Sequence, residues 1–557
     1  MAPDSNPANP EPAGPQPPPI TQSSSAAGDD DWVVLEVVET ARRRWPKVNW
    51  REVAAVLALV VLADVAIYRG HGFAGFAVFL AGAPLLLLLG APRPKVGFGL
   101  LLFGAMILLA AARLVWCGSW LTVTAGMVLV VAFSMCLAGL RPYVLETVIY
   151  ASQTLLAGYE GIRQWRFLSK GGGSRLTRGR WLDVGLPLAA LVAFGLLFIV
   201  ANPHLLDAFG KQVEWLLTSV RQWLVDVSPE WQEVLFWLAV FWVAVGLLRP
   251  VVTRSLLAGR SKPGDDAGET AGPAAIYSAC RNTLATVIAL FAVYLVFEFR
   301  TLWFRQFEEG FLYSGYAHQG AAWLTVALAL ATVVLSLIFR GPILRDHRAG
   351  TLRRMAWLWS LENLLLAVAV YHRLWIYVGF NGMTRMRTVG LFGVSCVVAG
   401  FVLVVWKIVY GRDFVWLLRR QLWALALAVY VYSLTPVDAL VHRYNAERIL
   451  AGDPAPSVEI SVHPISAEGI PALIPLTECN NAIIRDGIRA ILAECQQKAE
   501  VQAARNTRLG WSVHQIAERR MLDELRAVDR RWAEYTKDRI KRRLAIQRFN
   551  EYACRWY

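Results

Sequence analysis

Between residues 52 and 437 the chain alternates long apolar runs with short polar breaks. A membrane-spanning helix needs about 20 mostly apolar residues. Eleven runs fit that length, at approximately 52–68, 73–91, 97–116, 119–140, 182–202, 232–249, 280–299, 321–339, 355–372, 388–410 and 420–437. The pattern predicts an all-α polytopic membrane protein with about 11 transmembrane helices.

The flanks read differently. Residues 1–30 are rich in Pro, Ser and Ala and nearly free of apolar bulk, so they cannot offset the entropy of ordering and are expected to be a disordered tail. Residues 31–51 form a basic, amphipathic lead-in to the first span. Two longer breaks carry helical patterns of their own. Residues 141–168 and 203–231 are expected to lie along opposite interfaces. From residue 438 to 557 the chain is mostly polar. There, VEISVHP alternates before prolines interrupt it, which predicts an extended or loop segment over 456–475. Stretches 481–502 and 511–550 read as two amphipathic helices, the second with Leu522, Leu525, Val528 and Trp532 at three-to-four spacing.

Composition supports the membrane reading. Hydrophobic residues make up 56% of the chain and charged ones 18%, against roughly a quarter charged in soluble proteins. The net charge of +14 alone would admit nucleic acid as a partner. Its distribution points to lipid instead. With the N-terminus inside, inner segments hold 28 Lys and Arg and outer ones 9, the asymmetry of the positive-inside rule. An odd span count then puts the C-terminus outside a bacterial inner membrane. The bilayer is the expected partner, with a further protein partner at the outer face and no nucleic acid.

Seven cysteines show no zinc spacing. On one continuous helix Cys479 and Cys495 would sit about 24 Å apart, well beyond the roughly 7 Å that a disulfide tolerates. No metal or cofactor is expected. Nucleophile elbow, HExxH and P-loop patterns are all missing from the sequence.

Polar residues inside spans are costly and therefore candidates for function. Asp64, Arg113 and Glu362 are the intramembrane charges that stand out, with Asn363 beside Glu362. A second group gathers at predicted outer breaks: Glu298, Arg300, Tyr313, Tyr316 and His318; Arg373, Tyr377, Thr384 and Arg387; Asp438, Arg443 and Asn445. Each has a plainer reading as an interhelical hydrogen bond or a cap. If these breaks share the outer face, they are expected to converge on one surface.

Three stretches carry a resemblance. YSGYAHQGAAWL at 313–324, RLWIYVGFNGMTRMR at 373–387 and DALVHRYN at 438–445 are similar to signatures of DUF4153/DUF4173, a bacterial membrane family described as a domain of unknown function. The resemblance covers roughly 275 to the C-terminus, and the first half is similar only as apolar spans. His318 and Gln319 stand where the family usually has basic residues. The resemblance implies fold and topology and brings no activity. The leading expectation is a non-catalytic scaffold, signalling or assembly component whose outer face binds a partner. A permease using Asp64, Arg113 and Glu362 is the alternative. A membrane-bound transferase, with the outer tyrosines, acids and His318 forming a pocket, is the second.

Overall fold

In hydrocarbon each backbone N–H and C=O must be satisfied within the chain, which leaves helices as the solution for single apolar runs. A computed structural model describes residues 48–171, 230–249, 273–300, most of 323–338, 348–412 and 414–556. These are helical, with no strand among the described residues. The expected N-terminal tail, the expected 182–202 span and nearly all of 203–231 lie outside the described residues.

The first half begins with α1 (Trp50–Ala63), which runs on through a π-helical turn at Asp64–Tyr68. Then follow α2 (Phe73–Gly90), α3 (Phe98–Trp116), α4 (Trp120–Leu137), α5 (Val144–Gly171) and α6 (Trp231–Leu248). The second half contains α7 (Pro273–Glu298), the apolar segment 323–338, α8 (Ala349–Asn381), α9 (Arg385–Tyr410) and α10 (Phe414–Leu434). Among the described residues, eight helices are long and apolar enough to cross a membrane: α2, α3, α4 and α6 through α10. The chain is a multi-pass membrane protein.

Lipid tails are as apolar as leucine, so packing quality rather than water exclusion holds such helices together. The first half packs around Val56, Leu80, Ile107, Leu114 and Val245, with Tyr430 of α10 joining that core. Close backbone approach matters at Gly246, where a Cβ would strike the carbonyl of Thr154 on α5. Tyr150, Leu155, Gly158 and Gly161 of α5 meet Leu247, Trp242 and Val245 near the end of α6. The second half packs around Leu284, Leu335, Trp359 and Val404, and then around Leu328, Leu366 and Val370.

After α10 come α11 (Val437–Leu450), α12 (Ser457–Val462), a 3-10 helix (Ile470–Glu478) and the long α13 (Ala482–Leu509). A further 3-10 turn (Trp511–Val513) leads to α14 (Ile516–Ala527), α15 (Ala533–Lys537) and α16 (Arg539–Ala553). Their shared core contains Leu473, Leu476, Ile488, Leu492, Leu525, Trp532 and Phe549. The Trp532 indole donates to Gln496 Oε1 at 2.8 Å, which satisfies a buried N–H. Helices α13 and α16 are antiparallel: Gly487 receives Phe549, and Arg542 donates to Gln497 at 2.7 Å.

With 28 residues, α13 is about 42 Å long at the ordinary helical rise. Its start is tied through the Asn481–Tyr552 bond to the end of α16, where Asn381 of α8 donates to the Trp556 carbonyl at 2.9 Å. Past its other end, Ser512 Oγ accepts from His71 N at 3.0 Å, and Gln515 Oε1 accepts from Gly118 N at 3.1 Å. The helix thus bridges the two membrane halves at one face.

Several expectations need correction. The extended or loop segment expected at 456–475 holds two short helices, Ser457–Val462 and the 3-10 helix Ile470–Glu478, and is non-helical between them. Ala455 through Ile460 are buried on all sides, so the alternation there marks no strand face. Stretch 511–550 is several helices, not one. It breaks where Trp532 turns into the core and where Asp538 caps α16 through the amides of Ile540 and Lys541. Arg373 and Tyr377 lie on α8, Arg387 on α9, and Asp438, Arg443 and Asn445 on α11; only 382–384 is non-helical between α8 and α9. All seven cysteines are free thiols.

Candidate functional site

The turn between α8 and α9 is built from three residues with separate tasks. Gly382 ends α8 at φ +91°, a left-handed conformation that glycine adopts without a Cβ penalty. Met383 offers both backbone groups to one side chain: its N–H donates to Asn445 Oδ1 at 2.7 Å, and its carbonyl accepts from Asn445 Nδ2 at 2.8 Å. Thr384 caps α9, its hydroxyl accepting from the Arg387 amide at 3.0 Å. From the same α11, Arg448 donates to the carbonyls of Val378 (2.7 Å), which also accepts from the Gly382 amide, and Gly379 (2.6 Å) at the end of α8.

Charges around this turn pair across elements. Buried Arg387 lies over the Tyr377 ring with its guanidinium carbon 3.9 Å from the centroid. It bonds the Gly382 carbonyl and pairs with Glu459 of α12 at 3.0 Å. Arg385 grips Asp438 through both carboxylate oxygens, and the Ser466 amide donates to the same carboxylate at 2.9 Å. Deeper, Glu298 at the end of α7 is fully buried and holds Arg373 in a two-bond pair, while Tyr294 donates to it at 2.9 Å. The structure therefore brings Glu298 to Arg373, and brings Tyr377, Thr384 and Arg387 to the helix that carries Asp438 and Asn445.

Other expected members stand apart. Arg300 is exposed beyond α7, and Arg443 is exposed with Glu447 as its salt-bridge partner one turn away. Tyr313, Tyr316 and His318 lie outside the described residues. Of the intramembrane charges, Arg113 closes α3 with a two-bond pair to Glu468. Asp64 accepts from the Trp237 indole at 2.8 Å and pairs with Arg69 at 3.0 Å. Arg69 also reaches Glu233 at 2.7 Å, so Asp64 is tied to α6 both directly and through Arg69. Glu362 and Asn363 keep oxygens that find no partner.

Sequence reasoning missed Arg448, Glu459, Ser466, Glu468, Ser512 and Gln515. A signal existed for two of them: Glu459 and Glu468 are the acids in an otherwise apolar, proline-broken stretch, opposite arginines that had no predicted partner. The same logic applies to the buried Glu52–Arg249 pair and to Glu146 with Arg419.

The seam has a defined charge state. Burial would raise the Asp438 carboxyl, but hydrogen bonds from Arg385 and Ser466 outweigh it and hold the group below its ordinary range. Burial raises Glu459, with Arg387 and His463 opposing. The buried His442 imidazole is pushed down to about 4, chiefly by burial, and is neutral at physiological pH. In the unfolded chain it would titrate near 6.5. Its contribution to stability is thus present above that value and lost as pH falls toward 4, about 3 kcal/mol over the interval. Glu459 acts oppositely in a window just above its ordinary value. Thermal unfolding of the full chain between neutral and about pH 4.5 is expected to show this loss, and His442→Gln to flatten it.

The arrangement holds no free nucleophile–base pair among the interactions described. No metal-binding cluster of His, Cys, Asp or Glu occurs among the described residues. Its chemistry is fastening: charge-assisted bonds and caps tie span ends to the C-terminal helices.

Comparison with known proteins agrees with this architecture. A family model described as "Domain of unknown function (DUF4153)" matches residues 56–476. That match starts in α1, well before residue 275 where the resemblance was expected to begin, and ends before α13 rather than at the C-terminus. No curated protein and no solved structure matches the chain. The continuous match from the first span through the 3-10 helix that follows α12 makes this chain a member of the DUF4153 family.

Proposed function

We propose that the protein is an inner-membrane assembly or signalling scaffold with 11 spans, a cytoplasmic N-terminus and an outer platform formed by its C-terminal helices. The observation that carries this reading is that four arginines in or at the ends of these helices are held in ion pairs: Arg113 with Glu468, Arg373 with Glu298, Arg385 with Asp438 and Arg387 with Glu459. Groups held this way present a fixed surface, and they are poorly suited to bind and release a substrate. Helix α13 laid across both halves supports the same reading, because it restrains the rocking by which transporters alternate. Charge asymmetry along the sequence supports the orientation. In this reading Arg443 and Glu447, both exposed, belong to the surface that a protein partner meets.

One experiment tests orientation and role together. The full chain carries an epitope after Tyr557 and a photo-crosslinking residue at position 443, expressed in cells with a permeable outer envelope. The epitope is expected to be digested by protease added outside, and position 443 to yield a discrete protein adduct. An epitope digested only after the inner membrane is opened overturns the orientation. An accessible epitope with no adduct overturns the scaffold role.

A further inference from the structure

One turn of α8 holds three polar atoms that the fold leaves without partners: Trp359 Nε1, Glu362 Oε2 and Asn363 Oδ1. Their residues are 1%, 8% and 0% exposed, so water at the surface cannot satisfy them. Spacings of three and four place Glu362 and Asn363 one turn above Trp359 on a single face. Asn363 Nδ2 donates to the Trp359 carbonyl at 2.7 Å, which fixes the amide and leaves its oxygen free.

The surroundings are apolar. Phe291 of α7 meets the Trp359 ring edge-on at 5.7 Å, within a core of Leu284, Leu335 and Val404. On the other side of Glu362 comes a core of Leu328, Leu366 and Val394. Among the described residues, the ionisable side chains on α7 and α9, which pack against α8, are Tyr277, Cys280, Arg281, Tyr294 and Glu298, and Arg385, Arg387, Cys396, Lys407 and Tyr410. Tyr294 and Glu298 are engaged with each other and with Arg373. Glu362 lies about 16 Å from Arg373 along the helix, near mid-depth in a hydrocarbon layer of about 30 Å. A carboxyl group is rarely kept at such a depth without a functional partner.

We propose that Trp359, Glu362 and Asn363 bind a proton or another small monovalent cation inside the membrane. Two acceptor oxygens with no protein donor suit a positive ligand, and the neighbouring indole N–H suits its accompanying water or the second carboxylate lone pair. A bound proton makes Glu362 a neutral acid in its apolar sleeve; a metal cation replaces that proton at the carboxylate. Charge balances either way. The site is separate from the outer platform, and neither reading rests on the other.

The test uses the full chain in lipid nanodiscs and infrared spectra of the carboxyl C=O stretch, titrated in sodium, potassium and choline chloride. Wild type is expected to show a carboxyl band that is missing in Glu362→Gln and fades as pH rises. Asn363→Leu, which keeps the carboxyl, is expected to move the midpoint by about one pH unit, a tenfold change in proton affinity. A midpoint that differs between sodium or potassium and choline identifies a metal cation as competing ligand. One midpoint in all three salts identifies the proton alone. A Glu362 band that responds neither to pH nor to salt overturns the proposal, as does an Asn363→Leu midpoint equal to wild type.

Discussion

Arg373→Ala is expected to destabilise the membrane domain by about 3–5 kcal/mol, the cost of stranding one member of a buried ion pair. Glu298 has no exposed surface, and its two oxygens are taken up by Arg373 and Tyr294. Removing the guanidinium leaves a carboxylate in a low-dielectric site, where it must either stay charged without a counterion or take up a proton. Glu298→Ala should cost a similar amount for the converse reason. The pair itself is a different matter, because desolvating both ions consumes most of what their attraction returns. Glu298→Leu combined with Arg373→Met is therefore expected to recover most of the loss. Thermal unfolding of wild type, Glu298→Leu, Arg373→Met and the double variant in one detergent closes the cycle. Single variants within about 1 kcal/mol of wild type would show that water reaches this pair and that it holds nothing together.

How far was this legible beforehand? Apolar run length located the eight described helices that are long and apolar enough to cross a membrane, because hydrocarbon thickness sets a length that sequence displays directly. Glu298, Arg373, Arg387, Asp438 and Asn445 were visible because polar residues near span ends stand out against such a background. Their partners were not. Asn445 meets Met383 across 62 residues, and Arg113 meets Glu468 across 355. Periodicity carries no information about contacts between distant elements. The helix boundary at 373–387 was misplaced for a related reason: Arg373 looks like the end of a span, yet its charge is neutralised inside the bundle, so α8 continues to Asn381. At 456–475 alternation predicts an extended or loop segment with one buried face, whereas Ser457 through Ile460 are all buried and helical.

Gly382→Ala is expected to lower stability by about 2–3 kcal/mol through left-handed strain combined with crowding. At φ +91° an added Cβ would sit 2.6 Å from Asn445 Oδ1 and 2.9 Å from the Pro456 Cβ, so both the turn and its clamp must shift. Gly379, three residues earlier, has open space around its Cβ position and lies within α8. Gly379→Ala should therefore be neutral or slightly stabilising, since alanine is the better helix former. Asn445 separates strain from lost bonding. Asn445→Asp keeps an acceptor for the Met383 N–H but loses the donor to the Met383 carbonyl and sets a carboxylate against it. Asn445→Ala loses both bonds and relieves the contact at position 382. If the clamp acts through paired bonding, Asp and Ala should each cost about 1–3 kcal/mol, and Gly382→Ala with Asn445→Ala should cost less than the sum of the two. Limited proteolysis of the full chain reads the consequence for the seam, because loosening α11 from the turn should expose α12 and the segment after it to cleavage. Equal stability of Gly382→Ala and Gly379→Ala would remove the left-handed turn from this account and leave Arg385, Arg387 and Arg448 as the contacts that hold the C-terminal helices to this half of the membrane domain.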